Sequence, residues 1–369
     1  MKTIDSKRKT IAIDLTSLSY HITGIERYAL CISECMIKES NHNFVLLFRD
    51  AIYPTFNKYI DGSRVVARIL HGNNKLIFNQ VILPYNLYKI EADKYLFLAF
   101  TSPMLFFKRR IISTIHDMGA WDYPQSLSFK QKIYARVGCS IAAKSSEVLL
   151  TVSEFSKKRI TEILKVKENK VHVAYSAISN ELKKANYPDY SVLKKKYSLP
   201  DKYIMTLSTL EPRKNMTLLI DAFASIQDKV DYDVVLVGRK GWKIDELVKK
   251  CQYGRVHVTG FVEDDEVISL YKNSICFIFP TAYEGFGLPP VEALSLGTPV
   301  ISSDAASMPE VLRKQAVFFK SNNKQELCEL LLNLEKNVRN MPYGLDEFQK
   351  KNYRFDESAK KILEIIKGD

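Results

Sequence analysis

Short apolar runs alternate with stretches whose apolar positions recur at helical spacing along most of the chain, the pattern of parallel α/β architecture. In the first half, strands are expected at Thr10–Leu15, Phe44–Phe48, Val65–Leu70, Tyr95–Phe100, Ile111–Ile115, Val148–Val152 and Val171–Tyr175. Helices are expected between several of them, at Ile25–Ile37, Phe129–Ala143 and Glu154–Leu164. The polar, lysine-rich span Ser176–Lys202, which holds Pro188 and Pro200, breaks the alternation and reads as a crossover between domains.

The alternation then restarts, with strands at Tyr203–Ser208, Val234–Val237, Val256–Thr259, Cys276–Pro280, Val300–Ser302 and Ala316–Phe319. The expected helices are Met216–Ile226, Asp245–Lys250, Glu263–Tyr271, Pro290–Leu296, Met308–Leu312 and Lys324–Leu334. Two doubly wound sheets follow, and a length of 369 residues suits two cores better than one. The division is expected as residues 1–185, residues 186–350 and a closing segment 351–369. In that segment Ala359, Ile362, Leu363 and Ile366 recur at helical spacing, which predicts an amphipathic helix seeking a surface to cover. Ligands of doubly wound sheets bind beyond the C-terminal ends of the strands, so the site is expected in a cleft between two domains.

The segment Thr281–Glu292 places Glu284 and Glu292 on either side of a glycine-containing turn between a strand and a helix. Pro289 and Pro290 suit the first helical turn, where a missing N–H costs nothing, and Glu292 is expected in that turn. The N–H groups of Gly285, Phe286, Gly287 and Leu288 and the positive helix end favour phosphate oxygens, while glycine admits close approach. Two carboxylates repel phosphate but grip hydroxyls, so a nucleotide sugar satisfies both halves. The alternative is a tight strand-to-helix turn with a capping glutamate. After the strand Tyr203–Ser208, Arg213 and Lys214 fall on the same sheet edge, beside a helix start that Asn215 can cap. A guanidinium fork and an ammonium suit a diphosphate, although any loop can carry such a pair.

Other chemistries lose ground. Asp231-Tyr232-Asp233 has the short form of a manganese motif but precedes a strand, at the wrong end of its sheet, and reads as a turn. Gly285-Phe286-Gly287 lacks the third glycine of a dinucleotide fingerprint, and the sequence has no P-loop. The six cysteines form no Cys-x-x-Cys pair and read as reduced core residues, without a zinc framework. The net charge of +12 implies anionic partners. No basic stripe interleaved with aromatics points to nucleic acid, whereas an anionic membrane surface, a polyprenyl-diphosphate acceptor or plain solvated charge each accounts for the excess. Met1–Thr10 is polar and no apolar run is long enough to cross a bilayer, so a cytoplasmic protein is expected.

Taken in order, Glu211-Pro212-Arg213-Lys214-Asn215, Gly260-Phe261-Val262 and the Glu284–Glu292 element resemble the retaining glycosyltransferases of family GT4, whose fold is GT-B. Thr23-Gly24-Ile25-Glu26-Arg27-Tyr28, His116-Asp117, Thr151–Ser156, Pro309-Glu310-Val311 and the segment from Phe355 extend the similarity over nearly the whole chain. The resemblance implies two Rossmann-like domains, an acceptor-binding one first and a nucleotide-sugar-binding one second, with the closing helix packed back on the first. It implies that Arg213 and Lys214 bind the donor diphosphate and that Glu284 contacts the sugar. Gly285–Leu288 would then offer N–H groups, Glu292 would hold the ribose, and Phe261 and Val262 would lie at the base. Gly24 would lie in a loop approaching the phosphates, and His116 would reach the transferred sugar; read from its position alone, His116 is more simply structural. A leaving phosphate oxygen would accept the acceptor's proton, and with Arg213 and Lys214 present no metal cofactor is required.

Within the family, Gly238-Arg239-Lys240-Gly241-Trp242 and Ser303–Glu310 look most like bacterial mannosyl- or rhamnosyltransferases of O-antigen or capsule synthesis. The acceptor is then a glycan or a polyprenyl-diphosphate-linked oligosaccharide, with peripheral contact at the inner membrane face. Two rivals are a non-hydrolysing nucleotide-sugar epimerase of the same fold and a non-catalytic scaffold of a polysaccharide-assembly complex.

Overall fold

The apolar runs pair in parallel into two sheets. A computed structural model describes residues 8–19, 22–178, 186–239 and 255–368. The expected helix Asp245–Lys250, together with His21, Cys251 and Lys240–Trp242, lies outside the described residues.

The first unit comprises residues 1–177 and 351–369. Its strands are β1 (Thr10–Asp14), β2 (Asn43–Arg49), β3 (Val65–Leu70), β4 (Lys94–Phe97), β5 (Ile111–Thr114), β6 (Val148–Thr151) and β7 (Val171–Val173), in the order β3-β2-β1-β4-β5-β6-β7. All residues of β4, β5 and β6 are buried, as parallel strands covered on both faces must be. The strand order reverses between β1 and β4, which makes their C-terminal ends the switch point of this sheet.

The closing helix Phe355–Lys367 buries Phe355, Ser358, Ala359, Ile362, Leu363 and Ile366, a stripe at helical spacing. It packs on the helix Gly24–Glu39 of this same unit. There the Phe355 ring meets Tyr28 at 6.4 Å and the Ser358 hydroxyl donates to the Tyr175 carbonyl at 2.7 Å.

The second unit, residues 178–350, holds β8 (Tyr203–Leu207), β9 (Asp233–Val237), β10 (Val256–Gly260), β11 (Cys276–Phe279), β12 (Val300–Ser303) and β13 (Val317–Phe319). Their order is β10-β9-β8-β11-β12-β13, so the switch point lies between β8 and β11. One core on this sheet joins Phe223, Leu219 and Leu327 to Ile204, Val234 and Ile278. Asp233 opens β9 and holds Arg255 and His257 at 2.8 Å each, so the Asp231-Tyr232-Asp233 motif is spent on strand structure.

Two expectations about local structure change. The span read as an irregular crossover contains the helix Tyr190–Tyr197, started by Asp189, whose carboxylate accepts from the Ser191 N–H at 2.8 Å. Leu193 is its single buried residue, so the apolar period that would have marked it is missing. Lys196 and Tyr197 instead bond to Glu266 at 2.6 and 2.7 Å. Between β3 and β4 an unexpected helical stretch runs from Lys75 to Tyr88 and includes a π-turn at Phe78–Ile82. The wide turn shifts the register of its apolar positions and blurs the helical period.

Candidate functional site

The loops that leave β8 and β11 face each other across the switch point of the second unit. After β8 the chain makes the single turn Pro212–Lys214, and Asn215 takes a left-handed conformation at φ 56° before the helix Met216–Ala224. Asn215 holds the N-cap position, but its side chain does not cap the helix as expected; the left-handed backbone turns it away, and its amide donates to Asn322 at 3.0 Å. After β11, the Ala282 N–H donates to the Arg213 carbonyl at 2.9 Å and ties the two loops together.

This tie brings three of the expected residues into contact. Lys214 Nζ bonds Glu284 Oε1 directly, and Arg213 Nη1 lies 3.9 Å from the other carboxylate oxygen. Arg213 Nε also donates to Glu211 at 3.1 Å. The Thr281 hydroxyl lies 3.3 Å from Glu284 Oε1, and the Ser307 hydroxyl donates to the Glu284 carbonyl at 3.0 Å. Glu284 is 7% exposed. Burial pushes its carboxyl up, but the Lys214 and Arg213 cations outweigh burial and hold it below the usual glutamate range. The site therefore carries an ionised acceptor beside two cations, with groups for hydroxyls and for phosphate oxygens.

Gly287 sits at φ 80°, and a Cβ there would come within 2.5 Å of Met308 Cε. It caps the helix Leu288–Ser295, in which Pro289 and Pro290 occupy the second and third positions. Proline has no N–H, so this helix end presents the Gly287 and Leu288 donors in place of four. The helix begins two residues earlier than expected, which moves Glu292 from the first turn to the second. Its carboxylate lies 3.4 Å from the hydroxyl of the fully buried Tyr271. Burial and then the Glu292 charge drive the Tyr271 phenol pKa well up, so the phenol keeps its proton. Phe261 and Val262 follow β10 on the same sheet edge, two strands from the switch point. The Phe261 ring is exposed beneath the Arg239 guanidinium at 4.4 Å, whereas Val262 is buried.

In the first unit, Gly24 opens the helix Gly24–Glu39, preceded by Thr23, whose N–H donates to Glu26 at 2.6 Å. His116 follows β5, and its Nε2 donates to the Leu98 carbonyl at 2.9 Å. Its ring stands edge-on to Tyr28 at 5.2 Å. Burial lowers the His116 pKa, so the ring is neutral at pH 7. A histidine depressed in the folded chain adds stability above its unfolded pKa, and that stability is lost as pH falls through the histidine range. Thermal unfolding followed from about pH 7 to about pH 5 should thus show a decline that shrinks in His116→Gln. An unchanged decline would place the titration elsewhere.

Sequence reasoning gave no role to Thr281, Ser307 and Tyr271, whose hydroxyls meet the glutamates. It also missed Asp14, which ends β1 and accepts from the Thr16 N–H and hydroxyl at 3.0 and 2.7 Å. Burial raises its carboxyl pKa. A carboxylate closing an apolar strand at a switch point was the available signal.

Residues 192–361 match the family of glycosyl transferases group 1. The chain is 25% identical over 313 residues to O-antigen chain mannosyltransferase B of Escherichia coli, covering 80% of this chain and 82% of that protein. It is 30% identical over 196 residues to the serotype-specific mannosyltransferase WbdA of Escherichia coli, which is 50% of this chain and 24% of WbdA. Among solved structures, Anabaena HepE in complex with UDP-glucose superposes with a TM-score of 0.65 at 17% identity, over 98% of both chains. Residues 192–361 are similar to the glycosyl transferases group 1, and the chain is a glycosyltransferase with the GT-B fold.

Proposed function

We propose that this enzyme is a retaining GT4 glycosyltransferase that moves a sugar, with mannose favoured over rhamnose, from a nucleotide diphospho-sugar. The acceptor is a hydroxyl of a glycan or polyprenyl-diphosphate-linked oligosaccharide in O-antigen or capsule synthesis, met at the inner membrane face. The observation that carries the reading is the contact of Arg213, Lys214 and Glu284 at the switch point of the second sheet. The likeness to O-antigen mannosyltransferases supports mannose, and the nucleotide sugar held by HepE supports the donor class.

In this reading the two cations take the diphosphate and stabilise the charge that grows on the leaving nucleotide. Their positive charge serves in place of a metal ion, so no metal is required. Glu284, kept ionised, accepts hydrogen bonds from the transferred sugar, and a phosphate oxygen takes the acceptor's proton on the face that the nucleotide leaves. Glu292 binds the ribose. Charged hydrogen bonds to hydroxyls contribute equally before and during reaction, so Glu292→Ala should raise the donor KM by about 10- to 100-fold and change kcat little. Steady-state kinetics at saturating acceptor measures this, and an unchanged KM would remove Glu292 from the donor site.

The reaction itself is tested by supplying GDP-, UDP- and dTDP-sugars with and without a polyprenyl-diphosphate-linked oligosaccharide. Nucleotide release that requires acceptor, with the anomeric configuration retained by proton NMR, is the expected result. Conversion of the donor sugar without acceptor would identify the epimerase. Absence of donor binding would identify the scaffold.

A further inference from the structure

Large apolar side chains are unusually exposed on one part of the first unit. Leu76, Ile77 and Val81 on the stretch Lys75–Tyr88 are each more than half exposed. On the helix Phe129–Ser145, Phe129, Ile133 and Val137 form a stripe four residues apart, with Phe129 70% exposed. That helix starts cleanly, with Ser128 accepting from the Gln131 N–H, so the stripe is a designed face rather than a frayed end. Gln80 joins these elements to the loop that follows β4: its amide donates to the Tyr134 hydroxyl at 2.9 Å and its oxygen accepts from the Met104 N–H at 2.9 Å. The loop adds the exposed Leu105 and Phe107.

Charge on the same three segments is one-sided. Residues 75–89, 98–110 and 129–145 hold nine lysines and arginines and no aspartate or glutamate, against a net charge of +12 for all 369 residues. Lys89 lies over the Tyr85 ring at 3.9 Å and Lys132 over the Phe129 ring at 5.5 Å, so cations flank the apolar positions directly. Arg110 is offset by Asp93 at 3.5 Å, while Lys75, Arg109 and Lys130 are exposed.

We propose that this face of the first unit docks on an anionic lipid bilayer surface, inserting the stripe on Phe129–Ser145 and the apolar positions of Lys75–Tyr88 among the headgroups. An apolar face ringed by lysines has the two components that interfacial binding needs, buried area and attraction to anionic lipid. A protein partner would call for acids or a polar rim of mixed sign, and these segments contain no acid.

The test is co-sedimentation of the full chain with vesicles of phosphatidylcholine alone and of phosphatidylcholine mixed with phosphatidylglycerol, without donor or acceptor, so that failure here and failure of the transfer reading are distinguishable. Binding should require phosphatidylglycerol and fall with added salt. Phe129→Ser/Ile133→Ser and, separately, Lys130→Glu/Lys132→Glu should each weaken it about tenfold or more. Tyr343→Ser, at an exposed ring of the second unit, should leave it unchanged, and thermal unfolding checks that each variant is folded. Three results would overturn the proposal: no vesicle binding, equal binding to phosphatidylcholine alone, or a concentration-dependent dimer that the same substitutions break while vesicles are ignored.

Discussion

Lys214→Ala lowers kcat by about 10²- to 10³-fold, the loss expected when one charge-stabilising donor is removed from a transferring site. Its ammonium bonds Glu284 directly, so removal acts on the carboxylate as well as on the phosphates that the proposed reading assigns to it. Arg213, at 3.9 Å, is the remaining cation of the pair of contacts made to that carboxylate. Glu284's folded pKa lies below its unfolded value, so its ionised form adds stability above the ordinary glutamate range. That contribution is lost as pH falls through the folded pKa. With Lys214 gone, burial weighs more and the folded pKa rises towards the unfolded value, so stability at neutral pH falls and the acid-side loss shrinks. The unfolding temperature at neutral pH should drop by about 5 °C. Lys214→Arg restores the charge but not the compact ammonium, so it should recover stability more fully than rate. Single-turnover kinetics beside unfolding curves at several pH values separates the two effects. A wild-type rate with a lowered unfolding temperature would reduce Lys214 to a structural ion pair.

Gly238→Ala should be the most destabilising single-methyl change at a described glycine. Gly238 follows β9 at φ 134°, and a Cβ there would lie 1.9 Å from the Ser208 carbonyl oxygen. The obstacle is backbone, so no rotamer relieves it. The ends of β8 and β9 must separate, at the expense of the bond from Ser208 N–H to Val237 at 3.0 Å. Strain at a glycine-only conformation combined with forced separation costs about 4 kcal/mol or more. Urea unfolding should show a large drop in midpoint. A variant within about 1 kcal/mol of the wild type would mean that the strand ends yield far more easily than close packing allows.

The strands were legible because their fully buried runs, such as Cys276–Phe279, leave a continuous apolar signature. The helix Tyr190–Tyr197 was not, since one buried leucine gives no period to detect. The same contrast holds at the site. Arg213, Lys214 and Glu284 could be placed on one sheet edge from strand ends alone, but their direct contact depends on the bond from Ala282 N–H to the Arg213 carbonyl, which no side-chain pattern announces. Asn215 shows the limit of residue preference: asparagine suits an N-cap, and it also tolerates the left-handed backbone that here rules capping out. Tyr271 and Ser307 act on the glutamates from other elements, and one sequence carries no trace of such long-range pairing.

The return of Phe355–Lys367 to the helix Gly24–Glu39 makes the second unit an insertion within the first. During synthesis the earlier strands therefore emerge first but cannot bury the helix face around Tyr28 until Phe355–Lys367 has followed. The second unit, whose sequence is continuous, has every contact it needs before that moment. Folding order is thus inverted relative to chain order, against the usual N-terminal-first rule. A nascent chain halted before Phe355 would hold a finished second unit and an open first one.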